Sequence, residues 1–226
     1  MKTDLRELRP LTDSLDMVLG SCAEIAEAVC GEVRRFTNES DIKIDSFKFS
    51  SVFEVFKSVQ TFANVPLTYF VLPTDLPWTV LWFDSFLFDG YDSLCHNLTQ
   101  RFEFGTLHWS SSDKDSTFLR GSSFIHRKSI DGKVSKRSVY CCVEDSRRWY
   151  IETHGEPLEA EDLSVYTAKR ISDRLNEQLM TDFLGRLGAF PLVSGFYAIP
   201  QNPVSIIRRS SYPETIITKN RAEILH

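Results

Sequence analysis

Residues 106–154 read TLHWSSSDKDSTFLRGSSFIHRKSIDGKVSKRSVYCCVEDSRRWYIETH. The segments 106–110, 117–127, 134–143 and 148–153 are rich in β-branched and aromatic side chains, the types that suit a pleated, half-buried surface. Between the middle two stands Asp131-Gly132, a pair that accepts the positive φ angles of a two-residue hairpin turn. The stretch predicts an antiparallel meander. Cys141 and Cys142 are adjacent on one of its strands, so their side chains point to opposite faces and read as small buried hydrophobes.

Upstream of the meander, Tyr91, Leu94, Cys95, Leu98 and Phe102 form a helical stripe, with Asp89 or Asp92 near its start and Gly105 just past its end. Leu67–Leu72 and Thr79–Phe83 are short β-rich runs between prolines 66, 73 and 77. Over 41–63, alternation at Ile42, Ile44, Phe47 and Phe49 predicts a strand into residue 49. A stripe at Val52, Phe53, Phe56, Val59 and Phe62 predicts a helix over 51–63, with Ser51 and Glu54 at capping-box spacing. Nearer the start, Leu15, Val18, Leu19, Cys22, Ile25, Ala26, Val29 and Val33 recur at helical spacing. They predict one amphipathic helix capped by Thr12 or Asp13, with Glu24, Glu27 and Glu32 on its exposed side. Residues 1–10 read as a lead-in.

Downstream, helix is expected to return at about 162 and to continue through Leu175, Leu179, Phe183 and Leu187 to a stop at Gly188. Two β-like stretches follow, 194–199 and 204–208, separated by Pro200 and Pro203, and the last ten residues carry little pattern. The expected class is α+β: an antiparallel sheet meander packed against amphipathic helices in one compact domain, 1–226. Its parts are a helical N-terminal portion (about 10–65), a sheet-rich portion (about 66–155), a helical segment (about 160–188) and a short β-like tail. A domain boundary near residue 65 is the alternative.

The 226 residues are enough to bury a core without staples. No apolar run reaches the 18 residues of a membrane span. The opening MKTDLRELRP mixes charges and lacks an apolar stretch, unlike a secretory signal. The five cysteines are an odd number with no C-x-x-C spacing, which predicts reduced thiols and a cytoplasmic protein. With 26 basic and 31 acidic side chains the net charge is −5, which disfavours a general nucleic-acid coat.

The chemical motifs are mostly missing. No phosphate-binding glycine loop, no G-x-S-x-G elbow and no paired histidine spacing occurs, so neither a nucleotide cofactor nor a metal is expected. Cys95 adjoins His96, but neighbours on a helix diverge, and Cys95 lies on the apolar stripe. Glu156, Glu159, Glu161 and Asp162 crowd a helix start, where acids complement the helix dipole.

A basic sector over 120–148, with Arg120, Arg127, Lys128, Lys133, Lys136, Arg137, Arg147 and Arg148, forms either one positive face of a hairpin or the solvated side of an amphipathic sheet. The loop 110–116 either carries recognition or merely connects two strands. Aromatic side chains are abundant, with 17 Phe, 7 Tyr and 4 Trp. Most belong in a core, and a subset suits an interface.

The resulting expectation is a non-enzymatic protein that binds another protein, in the manner of an immunity protein or inhibitor that neutralises a toxin or effector. Its candidate binding residues are Glu24, Glu27, Arg120, Arg127, Lys128, Lys136 and Arg137. Two alternatives stand beside it. One is an enzyme whose site is assembled from Glu152, His154, His108 and Cys142; the other is a nucleic-acid module using the basic hairpin 120–148.

Overall fold

The computed structural model describes residues 4–8, 14–38, 40–62, 68–83, 89–112, 120–143 and 148–209. The proposed caps Thr12 and Asp13, most of the 110–116 loop, Arg147 and the last ten residues lie outside them.

The chain is α+β. The described strands form a nine-stranded antiparallel sheet: β1 (Ser14–Leu19), β2 (Ile42–Phe47), β3 (Tyr69–Leu72), β4 (Trp78–Phe83), β5 (Thr106–Ser112), β6 (Gly121–Ile130), β7 (Lys133–Val143), β8 (Trp149–His154) and β9 (Val204–Arg209). Their spatial order is β2-β9-β3-β4-β1-β5-β6-β7-β8. The helices are α1 (Cys22–Thr37), α2 (Val52–Phe62), α3 (Asp89–Phe102) and α4 (Glu177–Arg186).

The meander β5–β8 is continuous, and β6 and β7 meet at Asp131-Gly132 with φ of 50° and 73°, the positive pair a type I′ turn demands. Gly121 opens β6 at φ 141°, and a Cβ there would run into the Cys141 carbonyl of β7.

Two apolar clusters lie on opposite faces of the sheet. Leu15, Met17, Phe70, Trp109, Phe124 and Val139 join the cluster that holds Val55 and Phe56 of α2 and Phe183 and Leu184 of α4. The Phe124 and Phe183 rings stack with centroids 4.4 Å apart. Val18, Val71, Leu81 and Ile207 join the other, with Ile25, Val29 and Val33 of α1 and Leu94 and Leu98 of α3. α1 and α3 cover this second side of the sheet, the α3 face.

Several elements differ from expectation. The single helix expected over 15–33 is a central strand followed by a helix. A strand flanked by helices on both sides is apolar at consecutive positions, which imitates the apolar stripe of a helix. The division falls at Ser21, whose Oγ accepts from the Glu24 amide at 3.3 Å while the Glu24 carboxylate accepts from the Ser21 amide at 3.3 Å. Glu32, expected on the exposed side, is buried at 1% exposure.

The helix expected from about 162 is interrupted: 3₁₀ turns occupy Leu163–Thr167 and Ile171–Asp173, and α4 starts only where Asn176 caps the Leu179 amide at 3.0 Å. Of the β-like stretches after Gly188, the first contains a 3₁₀ turn, Ser194–Phe196. The second is β9, which inserts between β2 and β3. The lead-in is docked as well, since Leu5 is fully buried and its amide donates to the Leu192 carbonyl at 2.9 Å.

Candidate functional site

The basic hairpin does not present one positive face. Arg127 pairs across the ladder with Lys136, and Arg137 pairs with His126, so strand alternation sends Arg127 and Arg137 to opposite sides of the sheet. Both are buried, at 1% and 6% exposure. Arg137 donates to both carboxylate oxygens of Glu161 (2.9 and 2.7 Å) and to the Gly155 carbonyl (2.8 Å). Glu161 also accepts from the Leu158 amide and the Tyr166 hydroxyl. Burial alone would raise the Glu161 carboxyl, but these donors outweigh it and hold the group below its usual value. Glu161 is thus the anchor of a buried network, not an acid waiting at a helix start. Arg120 lies half-buried with its guanidinium 5.6 Å from the centre of the Trp149 ring, and Lys128 is exposed.

The alternative catalytic set is spread over the α3 face. His108, Ile125, Ser138 and His154 form one cross-strand row, so three inter-strand steps of about 4.8 Å separate the two histidines. Glu152 and His154 are exposed and bond to one another at 2.8 Å. Cys142 is buried, and burial together with the neighbouring Cys141 pushes its thiol up to about 11, away from the reactive thiolate. His108 instead meets a residue the sequence reading passed over: its Nδ1 lies 3.0 Å from Oδ1 of Asp16, directly opposite on β1.

Asp16 is 1% exposed and lies beneath α3, where the Cys95 thiol donates to the same oxygen at 3.3 Å. Its Oδ2 has no partner. Burial and the Asp16 charge push the Cys95 thiol far up, away from the reactive thiolate.

Farther along α3, Asp92 in the first helical turn accepts from Nη2 of Arg127 and lies 3.5 Å from Nζ of Lys136. Nε and Nη1 of Arg127 have no partner. Burial lowers the Arg127 value, with Asp16 and Tyr140 opposing, and burial and repulsion from Arg127 lower that of Lys136.

A second feature stands at the C-terminal ends of α1 and α3. The buried Glu32 carboxylate accepts from Arg35 with one oxygen (2.7 Å) and from Arg101 with the other (2.6 Å). The two arginines come from different helices, and their side chains remain 45% and 46% exposed. The Arg35 guanidinium sits 4.4 Å from the centre of the Phe36 ring and that of Arg101 6.0 Å from the Phe102 ring. Phe36 and Phe102 are exposed at 50% and 39%, and Phe102 stacks on Phe104. Glu24 and Glu27 lie exposed on the same α1, nearer its N-terminus.

Among the described residues no group of three or more potential metal ligands converges, and no helix is long and apolar enough to cross a membrane. Comparison with protein-family models, curated proteins and solved structures found no match.

Proposed function

We propose that the protein acts by binding another protein, in the manner of an inhibitor or immunity protein, and that the ends of α1 and α3 supply the contact. The observation that carries this reading is the Glu32 clamp. One buried carboxylate holds two half-exposed arginines, each beside an exposed phenylalanine ring. Arginine and aromatic side chains concentrate binding energy at protein interfaces. Side chains ordered before contact lose less entropy on association, about 0.5–1.5 kcal/mol for each one immobilised in advance. The reading takes the chain as one α+β unit, supported by strands from both sides of residue 65 within one sheet. A reducing, cytoplasmic setting suits its five free thiols.

The test is affinity capture from the native host with the wild type and with the Phe36→Ala/Phe102→Ala variant, which trims the exposed rings and leaves the Glu32 ion pairs in place. Titration calorimetry on the purified partner follows. A partner that binds the wild type stoichiometrically and the double variant at least tenfold more weakly supports the reading. Equal affinity for the two overturns it.

A second reading, an enzyme that uses His108, is favoured by the contact of its Nδ1 with buried Asp16, which fixes the imidazole as a proton acceptor is commonly fixed. It requires turnover that disappears in a folded His108→Ala protein. The nucleic-acid reading loses support because Arg127 and Arg137 are buried and paired with acids.

A further inference from the structure

We infer that the first turn of α3, with Arg127 and Lys136 beneath it, forms a binding site for a phosphate-type oxyanion, and that Asp92 holds its place when the ligand is absent. The inference is independent of the protein-binding surface proposed above.

Three positive features converge here. The N-terminus of the 14-residue α3 carries a partial positive charge, and its first-turn amides have no partner within the helix. Arg127 reaches it from β6 and Lys136 from the directly paired position on β7. A cation buried at the positive end of a helix is unfavourably placed, and among the described residues the carboxylate that bonds it is Asp92. Asp16 lies close enough to act on Arg127 through space, but makes no ion pair with it among the described contacts.

The strongest sign is the unused bonding capacity. Arg127 has five N–H donors in a fixed fork, and its side chain is 1% exposed. Nη2 bonds Asp92, while Nε and Nη1 bond nothing. Buried donors without partners are uncommon and costly. If Arg127 served only to pair with Asp92, a bidentate bond like that of Arg137 to Glu161 would be the expected form. Here both edges of the guanidinium fork are half used. Nε and Nη1 are closed off from solvent. The Asp92 side chain itself is 56% exposed and can turn outward without being dragged through a core.

A tetrahedral oxyanion has the geometry for this site. Two of its oxygens match the Nη1–Nη2 edge of Arg127, a third faces Lys136 and another receives the amide donors of α3. A carboxylate, with two oxygens in one plane, cannot meet all of these at once, as Asp92 shows by bonding one guanidinium nitrogen. The ligand class is therefore a phosphate group, either free or carried by a small molecule.

The experiment uses the full chain, with orthophosphate and pyrophosphate as probes at constant ionic strength. Binding is read by calorimetry and by amide shifts of residues 89–92, 127 and 136. Asp92→Asn and Lys136→Gln change partly exposed groups, which keeps the test independent of the buried Arg127. Removing the Asp92 charge takes away the internal competitor, so D92N should bind phosphate about tenfold more tightly than the wild type. K136Q should bind roughly two- to five-fold more weakly. The proposal is overturned if neither probe binds the wild type or D92N, if D92N binds no more tightly than the wild type, or if the shifts map away from α3 and β6–β7. Equal effects of sodium chloride and phosphate would also overturn it, since they would show screening alone.

Discussion

Glu161→Gln removes one negative charge from a largely buried network. In the wild type, Glu161 and Arg137 are 1% and 6% exposed, and two parallel N–H···O bonds join them. The glutamine keeps the shape and one acceptor oxygen, so packing is largely preserved. Arg137 keeps the Gly155 carbonyl but loses the counter-charge of a nearly buried guanidinium. Removing one partner of a buried ion pair typically costs 3–5 kcal/mol, and the surviving carbonyl contact argues for the lower end, about 3 kcal/mol. For a protein of this size that corresponds to a fall in Tm of roughly 6–12 °C.

The effect also has a pH signature. The folded Glu161 carboxyl lies below its unfolded value of about 4.5, so its contribution is fully present at neutral pH and is lost as pH falls through the folded pKa. Urea unfolding at pH 7 and at steps from 5 to 3 measures both quantities. The gap between wild type and variant should be about 3 kcal/mol at pH 7 and should narrow in the acid range below about 4.5. A gap under 1 kcal/mol at pH 7, or one that stays constant down to pH 3, would refute the claim that a buried charge pair holds the 155–166 segment to β7.

Further expectations address backbone, thiols and helix entry. Gly121→Ala should cost about 3 kcal/mol or more, because both its φ of 141° and the nearby Cys141 carbonyl exclude a side chain; a folded variant with unchanged urea midpoint would contradict this. In the folded protein a thiol reagent should modify Cys22 first, since it is the one described cysteine that is not buried, and five thiols should react after unfolding without reductant; a total of three would reveal a disulfide. Ser21→Ala should destabilise by about 1 kcal/mol in thermal unfolding, whereas Thr12→Ala should not, which separates a helix that starts at Cys22 from one that starts near residue 13.

The meander was legible because its signals are local. Alternation, turn chemistry at Asp131-Gly132 and strand length all act within one hairpin. The stretch 14–33 was misleading for a physical reason. A central strand covered on both faces has no polar face to show, so Leu15, Met17 and Val18 fit either periodicity. Two residues contained the correction. Ser21 and Glu24 stand at capping-box spacing and so mark a helix start eight residues later than the one expected. The insertion of β9 between β2 and β3 had no local signal at all, since it depends on pairings more than 130 residues apart in sequence, such as Val71 with Ser205.

The candidate sites were harder to read because their charges are partnered across long sequence distances. A run such as Arg127-Lys128 or Lys136-Arg137 reads as a basic surface only while its partners are unknown. Asp92 of α3 and Glu161 of the segment after β8 remove Arg127 and Arg137 from that surface. Strand alternation then divides what adjacency in sequence had joined. The same logic applies in reverse to Glu32. Read as one more acid on an exposed helix side, it is in fact the fixed point on which Arg35 and Arg101 converge. The consequence for testing is that charge reversals on this protein are not interchangeable. At Lys128 a reversal alters an exposed charge alone. At Arg127 or Arg137 it breaks a buried pair and confounds binding with folding. At Arg35 or Arg101 it turns a like charge on the buried Glu32 carboxylate and confounds binding with folding as well, so the exposed rings of Phe36 and Phe102 are the positions that separate a lost partner from a lost fold.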